Sequence, residues 1–207
     1  MNQGDWRRLV RTSNEDHWRR VRGMGRVIAL SLTTMIVGCL PTFEYPVSDD
    51  GETVDTSPYE GAWISRSVVG DKRVAGDLPA TVTRVGVNRL RASSLVEGQE
   101  MGFEIKLARV GGDIFASYKA EGGQADWRIV RLALGEDARR LSLKTVRVAN
   151  VKTAIAQGQL AAVVLAENSS DESVWVTSEG TILRTFIAAN AAAFDGEVLV
   201  MTRATAP

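Results

Sequence analysis

The sequence predicts an α+β fold in which strands are the majority: an antiparallel β meander or partly closed barrel with two short helices. Three observations lead there. Apolar and polar residues alternate with period two over much of the chain beyond residue 60. Glycine pairs interrupt that alternation where tight turns would fall. Two segments switch to a helical period.

The elements follow in order. Residues 63–69 and 80–95 read as strands, the second broken near residues 86–88. Phe103, Ile105 and Leu107 then alternate with Glu104, Lys106 and Ala108, and Gly111-Gly112 turns the chain into an alternating run over 114–118. That is a hairpin signature. Gly122-Gly123 separates this run from residues 127–134, and Gly135-Glu136-Asp137 leads to the run holding Leu141 and Leu143. Strands joined by turns this short pair antiparallel with their neighbours.

The first helix is expected over 150–158. Asn150 can cap it, Val151, Ala154 and Ile155 share a face, and Gly158 can end it in the left-handed conformation. Residues 160–165 and 174–176 form a hairpin across a polar loop at 167–173. A second helix follows a Thr177-Ser178 cap and runs from about 179 to 194. Its Leu183, Phe186, Ile187, Ala191 and Phe194 fall at helical spacing, so one face should cover a sheet. Residues 198–202 read as a last strand.

The chain has 207 residues, 44% of them hydrophobic, enough for one core and not comfortably two. Formal charge is zero, but residues 1–38 hold seven arginines against three acidic residues, leaving a net of −4 from Cys39 onward. That balance excludes nucleic acid as the main partner, since phosphate binding needs a concentrated positive footprint.

The front of the chain reads as an address. Residues 27–37 are eleven residues without a charge, preceded by Arg22 and Arg26 and followed by Gly38-Cys39. A helix needs about 20 apolar residues to cross roughly 30 Å of hydrocarbon, whereas a signal-peptide core is this short. Residues 1–38 are therefore expected to be a signal peptide. Asp5, Glu15 and Asp16 sit badly in such a leader, and a start at Met24 gives a compact one; Arg19-Arg20 is only a weak twin-arginine hint.

Ile36-Val37-Gly38-Cys39 resembles the lipobox of bacterial lipoproteins. The resemblance implies cleavage between Gly38 and Cys39 and lipidation of Cys39, with two or three acyl chains giving a firm anchor. Leu40 stands where an Asp would favour inner-membrane retention, so an outer-membrane address facing the periplasm is implied. Residues 39–59 hold three of the five prolines and the acidic residues Asp49, Asp50, Glu52 and Asp55. They are expected to be a flexible tether, with a single β-rich domain at 60–207.

A second resemblance covers about residues 59–203. Gly61-Ala62-Trp63, Trp127-Arg128-Ile129-Val130, Leu141-Ser142-Leu143, Ala156-Gln157-Gly158-Gln159-Leu160 and a helix ending in Ala193-Phe194 follow in an order similar to small uncharacterised lipoproteins of Gram-negative bacteria. Gly-x-Trp also resembles the opening of lipocalin-like barrels, which implies that Trp63 closes one barrel end; Trp63 itself reads as plain core ahead of a ligand wall.

Catalytic chemistry is limited by what is missing. The only histidine is His17 and the only cysteine is Cys39. Loss of the leader and lipidation would leave neither imidazole nor free thiol, excluding Ser-His-Asp and Cys-His arrangements and His- or Cys-ligated metals. No phosphate-cradling glycine loop is present. Asp113, Asp126, Glu136, Asp137, Asp171 and Glu172 are the notable carboxylates, and nearly all fall in expected turns. Residues 168–172 lack the ligand alternation and central glycine of a calcium loop. No cofactor and no metal are expected.

The expected function is a membrane-anchored, non-enzymatic envelope lipoprotein whose domain binds a protein partner, a glycan or a small apolar ligand. The alternative is a carboxylate-dependent envelope hydrolase, which requires two acidic groups converging in a cleft.

Overall fold

A computed structural model describes residues 40–48, 52–69, 72–73, 77–96, 98–123, 126–164 and 174–204. The signal peptide, the start at Met24, the motif residues Ile36, Val37 and Gly38, the lipidation site Cys39, and the loop carriers Asp171 and Glu172 lie outside the described residues.

The alternating segments form one antiparallel sheet. Its strands are β2 (Gly61–Val69), β3 (Lys72–Arg73), β4 (Leu78–Arg84), β5 (Arg89–Val96), β6 (Gln99–Val110), β7 (Asp113–Ala120), β8 (Arg128–Leu134), β9 (Arg140–Thr145) and β12 (Gly196–Arg203). Each strand from β4 to β9 pairs with the next, and β2 pairs with β4. The last strand decides the architecture. β12 pairs with β9 on one edge and with β2 on the other, Met201 facing both Leu141 and Ser65. Eight strands thus close into a barrel, with the short β3 added outside the ring against β2. The expected mostly antiparallel β fold with two helices is thus present, and its ring is closed, which leaves no unpaired edge on it. A register shift between Glu197 and Leu199 lets β12 bend between its two partners.

The wall strands β6, β7 and β8 bury both faces. Leu107, Ala116 and Val130 point into the lumen with Trp63, Val82, Leu90 and Leu141. Their chain neighbours Ala108, Phe115 and Ile129 point outward into a second core. That outer core is covered by a small sheet and two helices: β1 (Thr42–Phe43), α1 (Val148–Ala156), β10 (Ala162–Val164), β11 (Val174–Val176) and α2 (Gly180–Asn190). β11 lies between a parallel β1 and an antiparallel β10. The expected hairpin across the polar loop is thus present, and α2 places Leu183, Phe186 and Ile187 on the barrel wall, with Phe115 and Phe194 edge to face at 5.2 Å.

Residues 40–48 and 52–59, expected as a tether, are packed. Phe43 and Val47 are fully buried, and Phe43 exchanges two 2.8 Å backbone hydrogen bonds with Trp127. Val47 N donates to Ser117 Oγ at 2.9 Å, and Asn88 Nδ2 donates to Ser48 Oγ at 2.6 Å. Glu52 accepts from Arg109 N at 2.7 Å and from the Arg184 guanidinium at 2.8 Å, fastening the segment to β6 and to α2 together. Proline and acid content argued for solvation; the few apolar side chains between them sit at positions the outer core fills.

The helices also differ in their ends. α1 starts two residues earlier than expected, with Arg147 in the cap position and Asn150 inside, and Gly158 takes the expected left-handed conformation. Ser178 does not cap α2 through its side chain; its Oγ accepts a 2.7 Å bond from Ala161 N, tying the helix entry to β10's approach. α2 itself ends at Asn190, and a single 3-10 turn carries the chain to Phe194.

Candidate functional site

One end of the barrel is plugged by the Gly-x-Trp segment. A 3-10 turn, Ser57–Tyr59, lays the chain across this end before β2 begins. Trp63 is fully buried and its Nε1 donates to Tyr59 O at 3.0 Å. Arg203, from the end of β12, stacks its guanidinium 4.1 Å from the centre of the Trp63 ring. The same guanidinium donates to the carbonyls of Glu60 and Pro58, the latter at 2.8 Å. Gly61 is required twice. Its φ is +113°, which side chains rarely adopt, and a Cβ there would fall 2.6 Å from the Arg203 guanidinium. Trp63 is therefore plain core, as expected, and does not line the cavity beyond it.

That cavity is the candidate site. It has a volume of about 110 Å³, is partly open, and reaches from Tyr59 beneath the plug to Phe103 and Tyr118 near the other end. Its space comes from small side chains. Ala80, Ala92 and Ala116 stand at lumen positions where larger residues would fill the void. Ser65 and Ser94 line it too, yet their hydroxyls are already spent on β4: Ser65 Oγ donates to Leu78 O at 3.1 Å and Ser94 Oγ to Pro79 O at 2.7 Å. The surface offered to a guest is thus almost wholly apolar.

At the end opposite the plug the lining includes Tyr118. Tyr118 meets Phe103 edge to face at 6.4 Å. The surface it exposes lines the lumen, but the wall withholds bulk water from its hydroxyl, and burial pushes its pKa up to about 12. Its partner directly across on β8 is Arg128. Arg128 shares a strand face with the lumen residue Val130, whereas the intervening Ile129 joins the outer core. Sequence reasoning passed over Arg128. A charge at the inward position of an alternating strand was the signal, visible once the parity of 127–134 is fixed.

The singled-out carboxylates do not converge. Asp113 stands at the start of β7, 3.7 Å from Arg131; Asp137 accepts from Arg139 N at 3.0 Å in the β8–β9 turn, where Glu136 is exposed. Asp126 lies in the loop before β8. None of them lines the cavity. Among the described residues, the carboxylates held below their ordinary range, Asp55 by hydrogen bonds from Ser57 and Glu121 by hydrogen bonds from Arg91, are both at the surface. No cluster of three metal-ligating side chains occurs among the described residues.

Comparison of the chain with known protein families, with characterised proteins and with solved structures finds no match in any of the three.

Proposed function

We propose that this chain is a membrane-anchored envelope lipoprotein, non-enzymatic, whose barrel holds a small apolar ligand. The observation that supports this most is the lumen: a closed barrel, plugged at one end and left void by alanines and serines. A close-packed interior would have filled that space at a gain in stability, so its retention favours a guest. An eight-stranded barrel is the size that either fills with side chains or holds one small ligand.

The volume limits the guest. Ligand pockets for drug-sized molecules run from about 300 to 1,000 Å³, while an engineered cavity of about 150 Å³ holds benzene. About 110 Å³ therefore suits one small ring or a short length of alkyl chain. A protein partner is favoured less, because the most exposed large apolar side chains, Val85, Val87, Leu95, Val163 and Ile182, are spread over separate turns, strands and α2. The hydrolase alternative has no carboxylate at the cavity among the described residues to carry it. The address belongs to the same proposal: cleavage before Cys39, acyl chains on its sulfur and amino group, and an outer-membrane position facing the periplasm.

Titration calorimetry with benzene, a single small ring, tests the lumen. The wild-type chain should bind one equivalent. Ala92→Phe, which fills the void while keeping the apolar surface, should weaken binding at least tenfold with circular dichroism unchanged. Equal binding by a folded Ala92→Phe chain would place the probe elsewhere and end the proposal.

A further inference from the structure

The cavity's lining is apolar, and a cation stands just beyond it, across from the lining residue Tyr118. Arg128 is the first residue of β8, so it stands at the rim farthest from the Trp63 plug, beside Tyr118. Its Nε is buried and takes no hydrogen-bond partner among the described residues. Three other wall arginines are paired on the barrel's flanks: Arg89 with Glu104 at 3.2 Å, Arg91 with Glu121 at 2.8 Å, Arg131 with Asp113 at 3.7 Å. Arg128 forms no ion pair among the described residues, and no carboxylate lines the cavity below it. A guanidinium whose Nε is buried without a partner or a counter-charge is costly to the folded protein. It is also a fork of fixed N–H donors whose geometry matches a carboxylate.

Resting on the ligand-binding reading above, we infer that the barrel's ligand is a slender single-chain carboxylate, its alkyl chain in the lumen and its carboxylate on Arg128 and the Tyr118 hydroxyl. Three features of the site agree on this. The lumen is too narrow for two chains or a fused ring system. Ser65 and Ser94 offer it no free hydroxyl, so selection by the walls is for apolar bulk alone. The head-group end supplies one positive charge and one neutral O–H, because Tyr118 stays protonated throughout the physiological range. A cationic head would meet Arg128 at close range and be rejected, and an uncharged head would leave the guanidinium unpaired.

The test compares guests of equal chain length on the full chain by isothermal titration: octanoate, 1-octanol and octyltrimethylammonium, each below its micellar concentration. Octanoate should bind about tenfold or more tightly than 1-octanol, the margin of a charge-assisted hydrogen bond, and octyltrimethylammonium should bind weakest. In Arg128→Met, which keeps the length and apolarity of the stem, the octanoate-to-octanol ratio should fall toward one; Tyr118→Phe should lower it by a smaller factor. Equal binding of octanoate and octanol to the wild-type chain would overturn the head-group assignment while leaving the apolar lumen standing. Failure of all three guests to bind would instead remove the ligand-binding reading on which it rests. A ratio that survives both substitutions would place the carboxylate site away from Arg128.

Discussion

The two faces of the barrel wall are built to opposite rules. Along β6, β7 and β8 the outward positions carry Ala108, Phe115 and Ile129, and they meet Phe43, Trp127, Phe186 and Phe194 in a core of interlocking rings. The inward positions carry Leu107, Ala116 and Val130, and with Ala80, Ala92, Ser65 and Ser94 around them they stop short of filling the lumen. Neighbouring residues of one strand thus belong to a packed interior and to an unfilled one. The difference teaches that stability and capacity are separated by strand parity. The helices and small sheet supply the packing that a barrel with a void lumen gives up.

The largest effect should come from breaking the filled side. Phe115→Ala should cost about 3–5 kcal/mol, the range for emptying a buried aromatic site, measured by urea unfolding; a loss near zero would mean that the outer core does not carry the fold. Removing the plug comes next. Arg203→Ala should cost about 2 kcal/mol through the lost ring contact and two partly buried carbonyl acceptors. Arg203→Lys should recover little of it, since an ammonium does not span both carbonyls.

The smallest effect sharpens the lumen side alone. Burial raises the Tyr118 pKa from 10.0 to about 12, so the folded state holds its proton longer than the unfolded chain. Its contribution to stability is therefore constant below about pH 10 and falls as pH rises toward 12. Glu44 also raises the Tyr45 phenol and burial that of Tyr59, so ultraviolet absorbance should show all three ionising late with one last of all, and Tyr118→Phe should remove that last component. An ordinary titration of all tyrosines would show that water reaches the lumen freely.

Much of this architecture was legible in the sequence, and the exceptions share a cause. Period-two alternation located β5 to β9, and the glycine pairs located their turns, because both signals are local. Closure was not legible, since the pairing of β12 with β2 depends on residues far apart in the chain. The segment around Phe43 and Val47 has the composition of a linker, and its partners, β11, Trp127 and Ser117 among them, are distant in sequence. Asn150 and Ser178 looked like caps by type; α1 begins before the first, and a tertiary bond to Ala161 uses the second. The lumen's emptiness was hidden for another reason. Alanine at an inward position looks like core until the residues opposite it are known to be small as well.

The bond from Arg203 to Glu60 joins residues 143 apart in sequence. Local hairpins from β4 to β9 can form as they emerge, but the ring stays open until β12 arrives and finds β2. The step that seals the lumen is thus the one with the greatest loop-closure entropy, and it should come late in folding. Until then the inward faces of eight strands are exposed together, so for this chain the same apolar surface that would hold a guest is, during synthesis, the surface most open to aggregation.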